Sequence, residues 1–159
     1  ILNLKDLVNR FTRTDIISYI NVLTCLTNVY SNDEEFEFII DNFQDYVNHL
    51  PSTINIFIVF LNNNVIGSGT LVIEPKIIHN FGKVAHIEDI VIDSKYQGKG
   101  YGKKIINFLT EKSKEFNCYK IILACDEDKI SFYKKCQPKN TKLNINNQIS
   151  YYFNRFFSK

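Results

Sequence analysis

The apolar positions of the chain change from helical to strand spacing at Pro51. Before this proline, six apolar residues recur at the interval that places them on one helix face: Phe36, Ile39, Ile40, Phe43, Val47 and Leu50. Acidic residues at 33–35 suit the positive end of the helix dipole. The pattern therefore predicts a helix that begins near Asn32 and ends at Pro51.

Two further patterns lie nearer the N-terminus. Residues 2–8 predict a short strand. Thr14 with Asp15 offers an N-cap, which predicts a helix that runs to about Thr24.

Strand spacing follows Pro51. Residues 55–61 and 65–73 are rich in β-branched and aromatic side chains, and the turn Asn62-Asn63-Asn64 separates them. This arrangement predicts an antiparallel hairpin, followed by a connection over residues 75–82.

The next segment, residues 85–92, is apolar and lacks alternation, which predicts a central strand buried on both faces. Glu88 and Asp89 lie inside it, and unpaired carboxylates are costly to bury. Strand geometry would point the two side chains to opposite faces. They are either structural partners of lysines and backbone groups or part of a functional site.

Helices and strands alternate in the C-terminal half. The predicted elements are a helix from the glycine-rich residues to about Asn117, a buried strand at 120–125, a short helix at 130–135, a loop at 140–147 and a terminal strand at 148–157. This order predicts an α/β fold with a mixed, mostly antiparallel sheet flanked by helices. A length of 159 residues predicts a single domain over residues 1–159.

Composition narrows the function classes. Hydrophobic residues make up 45% of the chain and the net charge is +2, which excludes a disordered chain and disfavours a protein that coats DNA. The apolar runs fall short of the roughly 20 residues that cross a bilayer, and no signal-type segment opens the chain. The four cysteines form no C-x-x-C pair, so we expect reduced thiols in a cytoplasmic protein rather than disulfides or a metal site.

A glycine-rich loop separates the strand at 85–92 from the helix that follows. Gly98, Gly100 and Gly102 free successive backbone N–H groups to bind an anion at the helix N-terminus. Four lysines surround this loop: Lys95, Lys99, Lys103 and Lys104. The loop is therefore a candidate phosphate site, and a plain glycine-rich turn is the alternative.

Two known nucleotide-binding loops are disfavoured. The dinucleotide fingerprint needs a further glycine and a first βα unit, whereas this loop follows several strands. A Walker A loop needs a hydroxyl for Mg²⁺ after its lysine, and Gly102-Lys103-Lys104 has none.

The run Gln97-Gly98-Lys99-Gly100-Tyr101-Gly102 matches the Q-x-x-G-x-G signature of the GNAT acetyltransferases, which bind the pyrophosphate of acetyl-CoA. Other segments extend the match, and over residues 76–136 the chain resembles the glucosamine 6-phosphate N-acetyltransferases of that superfamily. The matching segments are Lys76-Ile77-Ile78-His79, residues 86–92, residues 94–100, residues 118–123 and residues 132–136.

The resemblance implies a GNAT fold whose sheet is splayed between the strands near 85–92 and 120–125. The pantetheine arm of acetyl-CoA enters this gap. The implied reaction is direct acetyl transfer to the amine of glucosamine 6-phosphate, without a metal. The resemblance also implies a homodimer in which each chain completes the other's pocket.

The resemblance assigns the site residues. Tyr133 gives a proton to the departing thiolate, with a core aromatic as the alternative reading, and Glu88 and Asp89 line the sugar pocket as catalytic residues. The implied cofactor contacts are Ile90, Val91, Ile92, Gln97, Gly98, Lys99, Gly100, Tyr101, Gly102, Lys103, Tyr133 and Lys135. The implied substrate contacts are Thr24, Lys76, His79, Glu88, Asp89 and Arg155.

Lys76, His79 and Arg155 are candidates for the substrate phosphate because a dianion needs charged donors. Arg155 can also be an exposed cation on a terminal strand. Ala124 departs from the family, whose members usually carry an acid directly after the second splayed strand. Two other functions stay open: acetyl transfer to another amine, such as a protein N-terminus, and CoA binding without catalysis.

Overall fold

In a computed structural model of the chain, the described residues are 1–136, 141–145 and 149–153. These residues divide between two compact units: Ile1–Thr70 with Asp89–Ile105, and Leu71–Glu88 with Ile106–Lys159. That the whole chain is one domain stays a prediction. No helix among the described residues combines the length and the apolar character needed to cross a membrane.

The described residues form seven strands and six α-helices. The strands are β1 (Leu2–Asn3), β2 (Ile54–Leu61), β3 (Asn64–Pro75), β4 (Lys83–Ile92), β5 (Cys118–Leu123), β6 (Thr141–Ile145) and β7 (Ile149–Phe153). The helical segments are α1 (Leu4–Leu7), α2 (Arg13–Leu23), α3 (Asp33–Asn48), α4 (Ile78–Phe81), α5 (Tyr101–Glu115) and α6 (Ile130–Lys135).

The strands follow the hydrogen-bonded order β1-β2-β3-β4-β5-β7-β6. β4 pairs with β5 in parallel, whereas β1 pairs with β2, β5 with β7 and β6 with β7 in antiparallel fashion. The β4–β5 register ends at His86 and Ile122, although β4 continues to Ile92. The sheet is therefore mixed and open at this pair of strands, as predicted.

The N-terminal segment is mainly helical, so the strand predicted over residues 2–8 is confirmed only at Leu2–Asn3 and is wrong over residues 4–8. The side chain of Asn3 accepts a hydrogen bond from the Lys5 N–H at 2.9 Å and caps α1. Leu4 and Val8 lie four residues apart and are 1% and 0% exposed, so the helical segment buries the face that carries both.

The helices α2 and α3 are confirmed. α3 begins after Asn32, whose side chain accepts from the Glu35 N–H at 2.9 Å. α2 begins earlier than predicted because Thr12, not Thr14, is its N-cap. Thr12 forms a capping box with Asp15, in which each side chain accepts from the other residue's backbone N–H.

The hairpin is also confirmed. Asn62 and Asn63 turn the chain with φ of 50° and 65°, a conformation that asparagine tolerates better than most residues. β3 continues to Pro75, and α4 then contains left-handed residues at His79 and Asn80.

The two helices predicted in the C-terminal half are confirmed as α5 and α6. The strand between them begins and ends two residues earlier than predicted. Asn117 has φ of 60° and ends the helical segment, so β5 begins at Cys118. β5 ends at Leu123, which leaves Ala124 and Cys125 outside the strand where the sequence predicted them inside.

The predicted loop at 140–147 is partly wrong, because residues 141–145 form β6. Its asparagines favour a loop, but pairing with β7 from Thr141–Phe153 to Ile145–Ile149 determines the backbone. The predicted terminal strand is confirmed over Ile149–Phe153.

Candidate acetyl-CoA and acceptor site

Hydrogen bonds hold the start of the glycine-rich loop. The Asp93 N–H donates to the Ile66 carbonyl at 2.9 Å, and the Asp93 carboxylate accepts from the Lys95 N–H at 2.8 Å. The Gln97 amide nitrogen donates to the Ile92 carbonyl at 2.9 Å. Gln97 therefore anchors the loop to the last residue of β4.

Gly98 and Gly100 have φ of +73° and +83°, in the region that favours glycine. A Cβ atom at either position would have no heavy atom within 4 Å. The Lys104 N–H donates to the Gly100 carbonyl at 3.1 Å, so α5 begins directly after this glycine. The first N–H groups of a helix lack intrahelical partners, and an anionic pyrophosphate fits this open, positively polarised end.

The lysines of the loop are exposed. The Lys99 ammonium donates to the Lys95 carbonyl at 2.9 Å and lies 5.3 Å from the centroid of the Tyr96 ring. The Lys104 ammonium lies 5.2 Å from the centroid of the Tyr101 ring. These contacts hold two positive charges beside the loop while leaving them accessible to solvent.

Strand β4 bends where its two acids lie. Asp89 has φ of 51°, which interrupts the alternation from which opposite faces were predicted. Glu88 and Asp89 are both exposed, so burial on both faces is wrong at these two positions. Before them it is correct at Ala85 and Ile87, which are at most 1% exposed, but not at His86, which is partly exposed.

Tyr133 lies on α6 and is partly buried. Burial, together with the smaller effects of the charges of Cys125, Cys136 and Glu88, raises the pKa of Tyr133 to about 12. The hydroxyl therefore keeps its proton at neutral pH. Glu88 and Tyr133, both predicted as catalytic, thus lie close enough to interact electrostatically.

Lys76 belongs to a group of three charged or titratable side chains. Its ammonium pairs with the Glu74 carboxylate, and His86 Nε2 lies 2.9 Å from the other oxygen of that carboxylate. The hydrogen bonds from Lys76 and then His86 lower the pKa of Glu74, which stays ionised. Lys76 would therefore share its charge between Glu74 and any substrate phosphate.

His79 is held differently from Lys76. It has φ of 54° within α4, is exposed, and its ring centroid lies 4.3 Å from that of Tyr119. The ring contact orients the imidazole and leaves it accessible to an anion.

The remaining predicted residues are more dispersed. Thr24 is the exposed C-cap of α2, and its hydroxyl donates to the Asn21 carbonyl at 2.7 Å. Lys135 is exposed at the end of α6, and Ala124 is exposed just beyond β5. Arg155 lies outside the described residues.

No cysteine among residues 1–136 forms a disulfide bond: Cys25 is exposed, Cys125 is partly buried, and Cys118 and Cys136 are buried. Burial raises the pKa of the Cys118 thiol to about 11. Among the described residues, no group of three His, Cys, Asp or Glu side chains is placed to hold a metal ion.

A cavity of about 350 Å³ lies in the first unit and reaches Asp89. Its lining includes apolar residues of α2, α3 and β2 together with Thr27 and Thr70. Asp89 is the only charged residue among the described residues that line it. The cavity therefore suits the body of an apolar ligand better than a phosphate group.

Sequence reasoning missed Glu74, His86 and Gly67. The alternation of β3 and β4 puts Glu74 and His86 at partly exposed positions, but their pairing depends on strand register, which one sequence does not reveal. Gly67 matters because a Cβ there would lie 2.6 Å from the Val91 carbonyl oxygen. A glycine inside a strand was the available signal of such close backbone approach.

Comparisons with known proteins show the family of the chain. Residues 19–137 match the model of the Acetyltransferase (GNAT) family. The chain is 34% identical over 89% of its length to a glucosamine 6-phosphate N-acetyltransferase of Arabidopsis thaliana, of which it covers 89%. It is 36% identical over 77% of its length to the enzyme of the same name from Candida albicans, of which it covers 80%.

A solved structure agrees in fold. The crystal structure of the glucosamine-6-phosphate N-acetyltransferase from Arabidopsis thaliana matches with a TM-score of 0.64 and 32% identity, over 86% of this chain and 92% of that one. The chain belongs to the GNAT acetyltransferase family.

Proposed function

We propose that the protein transfers the acetyl group of acetyl-CoA to the amine of glucosamine 6-phosphate. The observation that carries the proposal is the identity of 34% over most of both chains to a relative with that name. The positive φ of Gly98 and Gly100 at the start of α5 supports the cofactor half of it independently, because such a loop suits a pyrophosphate.

The cofactor contacts in this proposal follow β4 and the loop. The backbone of Ile90, Val91 and Ile92 holds the thioester and pantetheine, and Lys135 adds a charged contact. The residues that bind the pyrophosphate are Gln97, Gly98, Lys99, Gly100, Tyr101, Gly102 and Lys103. When bound, acetyl-CoA supplies the activated acyl group.

The residues that contact the acceptor have two roles: some bind the substrate, and others accept its proton. Lys76, His79 and Arg155 bind the phosphate, and Thr24 contacts the sugar. Glu88 or Asp89 accepts the proton that the attacking amine loses, directly or through water. A strand N–H stabilises the charge that develops on the carbonyl oxygen.

Tyr133 serves the departing sulfur. Its raised pKa keeps the hydroxyl protonated, so it donates a hydrogen bond and then its proton as charge develops on sulfur. The nearby negative charge of Glu88 opposes formation of a phenolate. No step requires an acyl group on Cys125 or Cys136.

Two further properties complete the proposal. The protein acts in the cytoplasm, and the lack of a disulfide bond among its described cysteines supports this location. It works as a homodimer in which residues of each chain complete the other's pocket.

The test is a CoA-release assay on the purified full chain. Glucosamine 6-phosphate, glucosamine and peptides with free N-termini are compared at equal concentrations. We expect glucosamine 6-phosphate to give the highest kcat/KM. A higher value for peptides would support the alternative acceptor, and acetyl-CoA binding without any transfer would support a non-catalytic module.

A variant pair connects the activity to the site. Tyr133→Phe should lower transfer, while Tyr30→Phe, a matched change at a tyrosine that contacts Phe36, should not. Equal rates for both variants would remove Tyr133 from the mechanism.

A further inference from the structure

The carboxylate of Glu74 is held from both sides by charge-assisted hydrogen bonds. The Lys76 ammonium pairs with one oxygen, and Nε2 of His86 lies 2.9 Å from the other. An ionised carboxylate only accepts hydrogen bonds, so Nε2 of His86 carries a proton and donates to it. All three residues belong to the second unit. Glu74 therefore has a fixed orientation, although its side chain is 42% exposed.

The backbone of Lys76 is fixed as well. Its N–H donates to the Gly82 carbonyl at 2.8 Å, which closes the loop that carries His79. The ring of His79 is in turn oriented by its contact with Tyr119. What remains to be oriented is the side chain of Lys76, whose four-carbon stem has many rotamers when its ammonium has no partner.

The pairing with Glu74 leaves the Lys76 ammonium able to bind an anion. The Lys76 side chain is 33% exposed, and its ammonium has three N–H donors, of which one meets Glu74. Because each oxygen of Glu74 already accepts from a donor, little of its negative charge is left to repel a phosphate. Glu74 thus fixes the position of a positive charge without occupying all of its donors.

The same face of β4 carries the acid of the proposed reaction. Burial alternates along this part of the strand: His86 is partly exposed, Ile87 is 1% exposed and Glu88 is exposed. His86 and Glu88 therefore lie on one face of β4, one strand repeat of about 6.6 Å apart. The group formed by Lys76, Glu74 and His86 consequently lies beside the candidate proton acceptor.

We propose that Glu74 is a positioning residue for the substrate phosphate: held by His86, it orients the Lys76 ammonium for the phosphate without touching the substrate. Functional side chains keep their geometry when a second layer of hydrogen bonds fixes their rotamers. The inference rests on the proposed function, because it takes a sugar phosphate as the acceptor. Since Glu74 acts through Lys76, its loss should affect phosphorylated acceptors only.

The test is steady-state kinetics of the full chain with glucosamine 6-phosphate and with glucosamine. Glu74→Ala should raise the KM for glucosamine 6-phosphate by about 10-fold, within the limit of about 30-fold that the rotamer freedom of one lysine sets. Its kcat, and kcat/KM for glucosamine, should hardly change. Glu74→Gln retains an oxygen that accepts from Lys76 and should recover part of the loss. A lower KM in Glu74→Ala would show that the carboxylate competes with the phosphate and would overturn the proposal.

A double-mutant cycle separates positioning from a merely structural role. In a Lys76→Ala background, Glu74→Ala should have no further effect on the KM, because the group that it orients is gone. A further loss there would give Glu74 a role independent of Lys76 and would also overturn the proposal. Glu111→Ala removes an exposed partner of Lys114 on α5 and is the matched control, which should change no kinetic constant.

The wild type distinguishes this inference from the proposed function. If the wild type does not acetylate glucosamine 6-phosphate, the proposed function is wrong and the inference is wrong with it. If the wild type is active and Glu74→Ala has the same KM, only the inference is overturned. Equal losses of kcat/KM for both sugars in Glu74→Ala would likewise overturn it, since a general structural defect would then be the cause.

Discussion

Replacing Gly67 by alanine tests the close approach of β3 and β4 near the cofactor-binding segment. A Cβ at Gly67 would lie 2.5 Å from Ile92 Cδ1 and 2.6 Å from the Val91 carbonyl oxygen. The Ile92 methyl group can rotate away, whereas the carbonyl belongs to the backbone of β4. The substitution must therefore displace β4 or β3.

The expected cost follows from these two contacts. Overpacking a tight site costs about 1–3 kcal/mol, and a backbone contact belongs at the upper end of this range. A glycine-to-alanine change also lowers the conformational entropy of the unfolded chain, which raises the unfolding free energy by about 0.4–1 kcal/mol. The net loss of unfolding free energy should be about 2 kcal/mol, which lowers Tm by about 4–8 °C for a chain of this size.

Gly100→Ala is the matched comparison. It meets no atom within 4 Å, so its cost arises only from φ of +83° and should be about 1–2 kcal/mol. Under the proposed function it should nevertheless weaken acetyl-CoA binding more than its effect on stability suggests, because the alanine changes the direction of a loop N–H.

Urea unfolding followed by circular dichroism measures the stability of both variants, and calorimetry measures their affinity for acetyl-CoA. The reasoning about Gly67 is refuted if Gly67→Ala unfolds at the same urea concentration as the wild type. The assignment of the loop is refuted if Gly100→Ala is folded and binds acetyl-CoA with unchanged affinity.

Four further outcomes are expected. Tyr133→Phe should lower the single-turnover rate by about 10²-fold with little change in sugar affinity, and an unchanged rate would contradict its role. Lys76→Ala should raise the KM for glucosamine 6-phosphate by about 10- to 150-fold but hardly that for glucosamine, whereas equal increases would place Lys76 outside the phosphate site. Thr12→Ala should lower the unfolding free energy by about 1 kcal/mol in urea titrations, and no loss would argue against the cap. Iodoacetamide at pH 8 should modify exposed Cys25 first and leave Cys118 protected, because burial raises the pKa of Cys118 to about 11 and hides it from the reagent; mass spectrometry would detect the opposite order.

The elements with strong periodicity could be predicted from sequence. α3 repeats its apolar residues over four turns, and the Asn62-Asn63 turn separates two β-rich segments, so local patterns were sufficient there. The strand prediction failed in the N-terminal segment because Leu4 and Val8 fit a strand and a helix equally well until the Asn3 cap is known. The loop prediction failed at residues 141–145 because their strand depends on pairing with β7, a partner that composition does not reveal.

The same division holds for the candidate site. The conformation of Gly98 and Gly100 follows from residue type and spacing, so the loop was predictable. The pairing of Glu74 with His86 was not, because it joins residues of different strands. Asp89 was misplaced because a single positive φ breaks the strand alternation on which its predicted direction depended.

The bend at Asp89 bears on how an enzyme without an acid at Ala124 accepts the proton of its acceptor amine. Two neighbouring carboxylates in a regular strand would alternate between its faces, but here both are exposed and each influences a different tyrosine. The charge of Glu88 acts on Tyr133, whereas that of Asp89 acts on Tyr19. Glu88 is therefore the acid associated with the proposed proton donor to sulfur, and under the proposed function it is the nearer candidate to accept the amine proton. Asp89 lies instead among the residues that line the apolar cavity of the first unit.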